Sequence, residues 1–164
     1  MNATGSTGTT VTLFGDSAPL DHALSDQLGQ RGWKTHFVSV PTGWLRSATH
    51  AVMRLDTAAG VDALKELAET EQPRSHVIAV CPEPGTTAES DRVQDMCRAC
   101  GMHHDVSLIW HPPLVGDVAS EHPARTQVTT RALAVSVADE MVEHPSVGRP
   151  AFVARPFVVE AEHQ

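Results

Sequence analysis

His76-Val77-Ile78-Ala79-Val80-Cys81 is the stretch on which the fold turns. A strand with one solvated face alternates apolar and polar side chains, whereas a strand covered by helices on both faces reads as an almost continuous apolar run. The second pattern is the one found here, and it closes at Pro82-Glu83-Pro84-Gly85, a loop by composition. Downstream, a helix is expected over 88–100, with Val93, Met96 and Cys97 facing inward and Gly101 as its stop. Val106-Ser107-Leu108-Ile109-Trp110 follows as another strand. A buried strand, a helix and a second strand in succession make a βαβ unit, and that unit implies a parallel sheet.

The rest of the chain repeats the pattern. Val11-Thr12-Leu13-Phe14 is a short strand closed by Gly15, and Leu20, Ala23, Leu24 and Leu28 then recur at helical spacing until Gly29 and Gly32 end the helix. Strands are expected over 36–40, ended by Pro41, and over 51–55. Asp56 or Thr57 is placed to cap a helix carrying Val61, Leu64, Leu67 and Ala68. After a loop over 111–127, Leu133, Val135, Val137, Ala138, Met141 and Val142 mark a helix to Glu143. Residues 151–154 and 157–159 complete the pattern as one or two edge strands. The fold class expected is α/β, a three-layer, Rossmann-like, doubly wound parallel sheet of about five to six strands with right-handed crossovers. Residues 1–10 read as a flexible tail and residues 11–160 as one domain, which suits a chain of 164 residues.

Composition limits the functions open to such a domain. The formal charge of −8 disfavours nucleic acid and anionic membrane surfaces as partners. No window reaches the ~18 consecutive apolar residues of a membrane span, and the first ten residues lack the basic and apolar regions of a signal peptide. Three cysteines, two of them in one helix, fit a reducing compartment better than a disulfide framework, so a cytoplasmic location is expected. Tyrosine is absent, and the only lysines are Lys34 and Lys65.

Several residues carry potential chemistry. The turn from the first strand into the first helix is where a dinucleotide pyrophosphate would meet free helix N–H groups. Gly15, Asp16 and Ser17 are therefore the cofactor-binding candidates if NAD(P) binds. The stretch holds one glycine instead of three, Asp16 and Asp21 add negative charge, and Pro19 removes a donor, so a structural turn is the better reading. No acidic residue follows the second strand to hold a ribose, and no cofactor is expected. Cys97-Arg98-Ala99-Cys100, with His103 and His104 close behind, offers zinc-ligand types, but Cys97 lies on the inward helical stripe and no second half-site exists; no metal is expected. Cys81 ends a central strand, where α/β sheets place active sites, yet its neighbours supply no activating base, and an inert buried thiol is expected.

The order of these segments resembles the short-chain dehydrogenase/reductase superfamily from Val11 to Val159. Val11-Thr12-Leu13-Phe14-Gly15-Asp16 with its helix resembles the first βαβ unit, His76–Cys81 the central strand, and Trp110-His111-Pro112-Pro113-Leu114-Val115-Gly116 the strand-to-loop segment of the epimerase/dehydratase branch. That resemblance implies a Tyr-x-x-x-Lys pair on the helix after the central strand. Its projected positions fall near Thr86 and Ser90, and a chain without tyrosine cannot supply it elsewhere. Within the superfamily, Leu13-Phe14-Gly15-Asp16, Leu55-Asp56 and Val142-Glu143-His144-Pro145 are similar to the structural, non-catalytic subdomain of polyketide synthase ketoreductases, a truncated Rossmann unit. The resemblance implies no catalytic residues and a role in association. The partner it implies is a catalytic reductase or synthase, or a second copy forming a homodimer, and an apolar helical face involving Trp33, Trp44 or Trp110 is expected to make the contact. The alternatives are a divergent NAD(P)-dependent reductase or epimerase using another acid such as His111, and a small-molecule sensor on the same fold.

Overall fold

A computed structural model describes residues 9–15, 19–38, 50–69, 75–112, 114–115, 128–143 and 151–156. In chain order the elements are β1 (Thr10–Phe14), α1 (Pro19–Gln30), β2 (Lys34–Val38), β3 (His50–Arg54), α2 (Ala58–Ala68), β4 (His76–Pro82), α3 (Thr87–Cys100), β5 (Asp105–His111), β6 (Leu114–Val115), β7 (Val128–Thr129), α4 (Thr130–Glu143) and β8 (Ala151–Pro156). Six strands form one sheet in the order β2-β1-β3-β4-β5-β8, parallel at every junction. This is the flavodoxin-like order 2-1-3-4-5 extended by one strand, and it has one strand, not two, on the β2 side of β1. The architecture is a truncated, Rossmann-like, doubly wound α/β fold.

Strand alternation divides the core in two. Val11, Leu13, Val52, Ile78, Val80 and Ile109 face α1 and α4, meeting Leu24, Leu28, Leu133, Val137 and Met141. Phe14, Ala51, Met53, Val77, Ala79, Val106 and Leu108 face α2 and α3, meeting Leu64, Leu67, Val93, Cys97 and Cys100. β4 contributes to both layers along its length, and this is the physical reason for its continuous apolar sequence. By contrast β2, an edge strand, is nowhere fully buried and keeps the polar sequence Lys34-Thr35-His36-Phe37-Val38.

Local signals set the helix ends. Thr57, not Asp56, caps α2: its hydroxyl accepts from the Gly60 N–H at 3.1 Å and donates to the Arg54 carbonyl at 2.8 Å. Thr86 caps α3 by accepting from the Glu89 N–H, while the Glu89 carboxylate reaches back to the Gly85 N–H at 2.9 Å. α1 stops where Gly32, at φ 82°, lets the Trp33 N–H turn back to the Leu28 carbonyl.

Three expectations change. β2 begins at Lys34, two residues before the expected start, and residues 39 and 40 lie outside the described residues. The expected loop over 111–127 contains a short strand, Leu114–Val115, which pairs in parallel with Val128–Thr129. The crossovers are not all of one hand. The β5-α4-β8 connection moves across the sheet in the same direction as those through α2 and α3, yet α4 lies on the α1 face. Its hand is therefore opposite to that of the other three helical crossovers, an exception to the strong preference for right-handed connections. On that face α4 packs beside α1, and Arg31 pairs with Asp139 at 2.5 Å. The expected edge strand over 151–154 is present as β8; residues 157–159 and the tail residues 1–8 lie outside the described residues.

Candidate functional site

Doubly wound sheets bind ligands at the carboxyl ends of their strands, in the crevice where the order reverses. Here that reversal lies at β1, which has β2 on one side and β3 on the other. Gly15 follows β1, Asp21 stands in the first turn of α1, and Arg54 ends β3. The Arg54 guanidinium donates from one terminal nitrogen to Asp21 at 3.2 Å and from the other to Asp56 at 2.8 Å. Asp21 is 1% exposed and Arg54 7%, so this pair is sealed from water, while Asp56 reaches solvent.

The Asp21 carboxylate lies directly against Gly15. A methyl group added to Gly15 would sit 2.5 Å from Asp21 Oδ2 and 2.8 Å from Oδ1. In a dinucleotide site, the glycine leaves this space clear so that a phosphate can approach the backbone. In this chain a carboxylate fills it and is fixed there by the buried guanidinium. Of the three cofactor candidates, Gly15 is therefore beside an anion of the protein's own making; Asp16 and Ser17 lie outside the described residues.

The remaining candidates are distributed by strand parity. Cys81 shares the α2/α3 face with Ala79 and Val77, whereas His111 is in step with Ile109 on the α1/α4 face. The two meet only as neighbours along the edge, with Cys81 opposite Trp110 and Pro82 opposite His111, so the imidazole cannot act as a base for the thiol. Burial pushes the Cys81 thiol up to about 11, and the nearby Asp56 and Glu89 charges push in the same direction. Cys97 and Cys100 are fully buried against the sheet, and burial raises both to about 12. A thiol at such values is a poor nucleophile near neutrality.

His104 is also fully buried, and its Nδ1 accepts from the Ser75 N–H at 2.9 Å, which commits that nitrogen to the backbone. Cys97, Cys100 and His104 are thus drawn into the core while His103 is only half-buried, and no group of three or more potential ligands among the described residues is placed to hold a metal ion. Thr86 caps α3 and Ser90 bonds Gln94 from the same helix, so the positions projected for the reductase pair are occupied in helix structure.

His111 ends β5 at the same carboxyl edge. It is 4% exposed, and burial lowers its pKa from the ordinary value, against the opposing pull of the Pro112 carbonyl and the Asp56 and Glu83 charges. Its Nδ1 donates to the Pro112 carbonyl at 2.8 Å, because a carbonyl can only accept. Residues 55 and 56 and Glu83 flank the same edge, with the Glu83 N–H on the His111 carbonyl at 2.9 Å. The buried Asp21–Arg54 pair with its solvent-reaching partner Asp56 has no local sequence signature; the one available signal is an arginine that closes the apolar run Ala51-Val52-Met53.

With fold and site in view, the comparisons with known proteins are brief: no family model matches the chain, and neither a curated protein nor a solved structure matches it. Among the described residues, no helix is long and apolar enough to cross a membrane.

Proposed function

We propose that this chain is a non-catalytic, short-chain-reductase-like domain that acts by association in polyketide or other specialised-metabolite biosynthesis. Its partner is a catalytic reductase, a synthase or a second copy of the chain. The observation that carries this reading is the Asp21 carboxylate, buried against Gly15 and locked by Arg54 in the space a pyrophosphate would need. Two further observations support it. The chain has no tyrosine to donate a proton in the manner of the superfamily it resembles, and the sheet carries a single strand beyond β1 where the dinucleotide-binding order 3-2-1-4-5-6 carries two. Three buried thiols without a disulfide fit the reducing cytoplasm assigned by this reading.

Calorimetric titration with NADH and with NADPH tests the reading. No binding heat is expected up to millimolar concentration, and micromolar binding of either would overturn it. Light scattering of the purified chain, alone and mixed with candidate reductases or synthases, identifies the partner. A chain that stays monomeric and passes every such mixture without forming a complex would remove the associative half of the proposal.

A further inference from the structure

We propose that the amino edge of the sheet carries an acid-sensitive latch, in which protonation of His50 releases the Trp33 side chain from the α1/α4 layer while the sheet stays folded. His50 and His76 open β3 and β4 and are direct neighbours across the two strands. By alternation with Val52 and Ile78, both imidazoles stand on the α1/α4 face, with ring centroids 6.2 Å apart. The Trp33 indole meets His50 nearly at a right angle, at a centroid distance of 5.1 Å, and packs into the same layer as Leu24 and Leu28. Trp33 stands at the corner between α1 and β2, where its N–H donates to the Leu28 carbonyl at 3.0 Å and the next N–H, of Lys34, donates to the Thr9 carbonyl at 2.8 Å. With the backbone of the corner fixed on both sides, the indole can leave by side-chain rotation alone.

A cation on His50 is badly placed while the indole is seated, because it lies under an apolar layer and one strand away from a second imidazole that titrates in the same range. The other charged and titratable groups of the described elements around it are engaged or remote. β1 carries none. Asp105 is the register neighbour of His76 and so stands two strands from His50. On α4, Asp139 pairs with Arg31 at the end of α1, and Glu140 accepts from the Ser107 hydroxyl at 3.1 Å. Asp26 of α1 is exposed, Asp21 is held by Arg54 at the opposite edge, and the charges of α2 and α3 belong to the other face. Lys34 is exposed, and His104 accepts from the Ser75 N–H. Burial lowers the His50 pKa, so the proton is taken up preferentially when the indole has moved and water reaches the ring. The seated form therefore keeps its full advantage above the ordinary histidine value of about 6.5 and loses it as pH falls, by up to about tenfold in the open-to-seated ratio per pH unit. This inference does not rest on the association reading, and its failure would leave the dinucleotide titration unaffected.

The experiment is 19F NMR on the intact chain labelled with 5-fluorotryptophan, with Trp33→Phe identifying the Trp33 signal by removing it. Between pH 7.5 and 5.5 that signal is expected to move toward its position in the urea-unfolded chain and to gain the H2O/D2O isotope shift of an exposed ring, while the far-UV circular dichroism is unchanged. His50→Gln, which has no ring to protonate, is expected to abolish the pH dependence. Where that variant fails to fold, 15N-histidine titration of the unaltered chain decides, because His50 must titrate with the midpoint at which the Trp33 signal moves. A Trp33 signal that is unchanged or better shielded at pH 5.5, the same response in His50→Gln, a mismatch of the two midpoints, or loss of the dichroism together with the shift would each overturn the proposal.

Discussion

Replacing Asp21 by Asn is the most direct perturbation of the crevice, because it changes charge with almost no change in shape. Arg54 would remain 7% exposed, with a neutral amide where a carboxylate had been. Removing one partner of a fully buried ion pair costs about 3–5 kcal/mol, chiefly because the other charge is left in a poorly solvating place. Here Arg54 keeps Asp56 at 2.8 Å, and Asp56 is 37% exposed, so part of the charge stays compensated and the expected loss is about 2–3 kcal/mol. For a chain of this size that corresponds to a fall in Tm of about 4–12 °C. Urea unfolding followed by circular dichroism measures it, with Asp56→Asn as the internal comparison. That variant removes a partner in contact with water, and about 1 kcal/mol or less is expected. A loss below about 0.5 kcal/mol in Asp21→Asn, or a larger loss in Asp56→Asn, would refute the view that Asp21 is the chief counter-ion of Arg54. The same variant also separates electrostatic from steric exclusion of a phosphate. With the charge gone but the side chain still filling the space against Gly15, NADH is expected to remain unbound.

Further outcomes follow from the same structure. The pKa values of His50 and His111 are both lowered by burial, so each favours its neutral form in the folded chain. Their contribution to stability is complete above the unfolded value of about 6.5 and is lost as pH falls below it; the urea midpoint should be lower at about pH 5.5 than at about pH 7.5, and a midpoint that rises on acidification would contradict this. The three thiols should fail to react with Ellman's reagent in the native protein at neutral pH and all react after unfolding, since each is buried with a raised pKa; rapid native labelling of Cys81 would show the edge to be open. Gly60→Ala should destabilise by about 1–3 kcal/mol in the same unfolding assay, because a methyl there collides with the Arg54 backbone, whereas Gly29→Ala, where nothing lies within 4 Å, should be neutral or stabilising.

How much of this was legible depended on whether a feature was local. β4 announced itself because burial on both faces favours an apolar residue at nearly every position, while α2 carried a stripe with a cap candidate and α3 a stripe closed by Gly101. β6 and β7 were missed because two residues each cannot display a period. The hand of the last crossover was also hidden. The α4 stripe says that one face is buried but not against which side of the sheet, and that choice is made by packing Leu133, Val137 and Met141 beside α1. At the site, the separation of Cys81 from His111 follows from alternation, but only once Pro82 is known to stand opposite His111. The Asp21–Arg54 pair joins positions 33 residues apart, and nothing in either neighbourhood specifies the other.

The crevice and the thiols together restrict the chemistry this edge can perform. On the α2/α3 face Cys81 is held protonated by burial and by two carboxylates, which excludes thiolate attack near neutrality. On the other face the phosphate position is taken by a buried carboxylate, and the arginine that would otherwise attract an anion is spent on holding it. Those two facts have a common source in Asp56 and Arg54, which adjoin at the end of β3: the guanidinium is neutralised from both sides, while the Asp56 charge also raises Cys81. Among the described residues, the arrangement at this edge is the one the associative proposal expects: the arginine is engaged by two carboxylates and the thiol is held protonated.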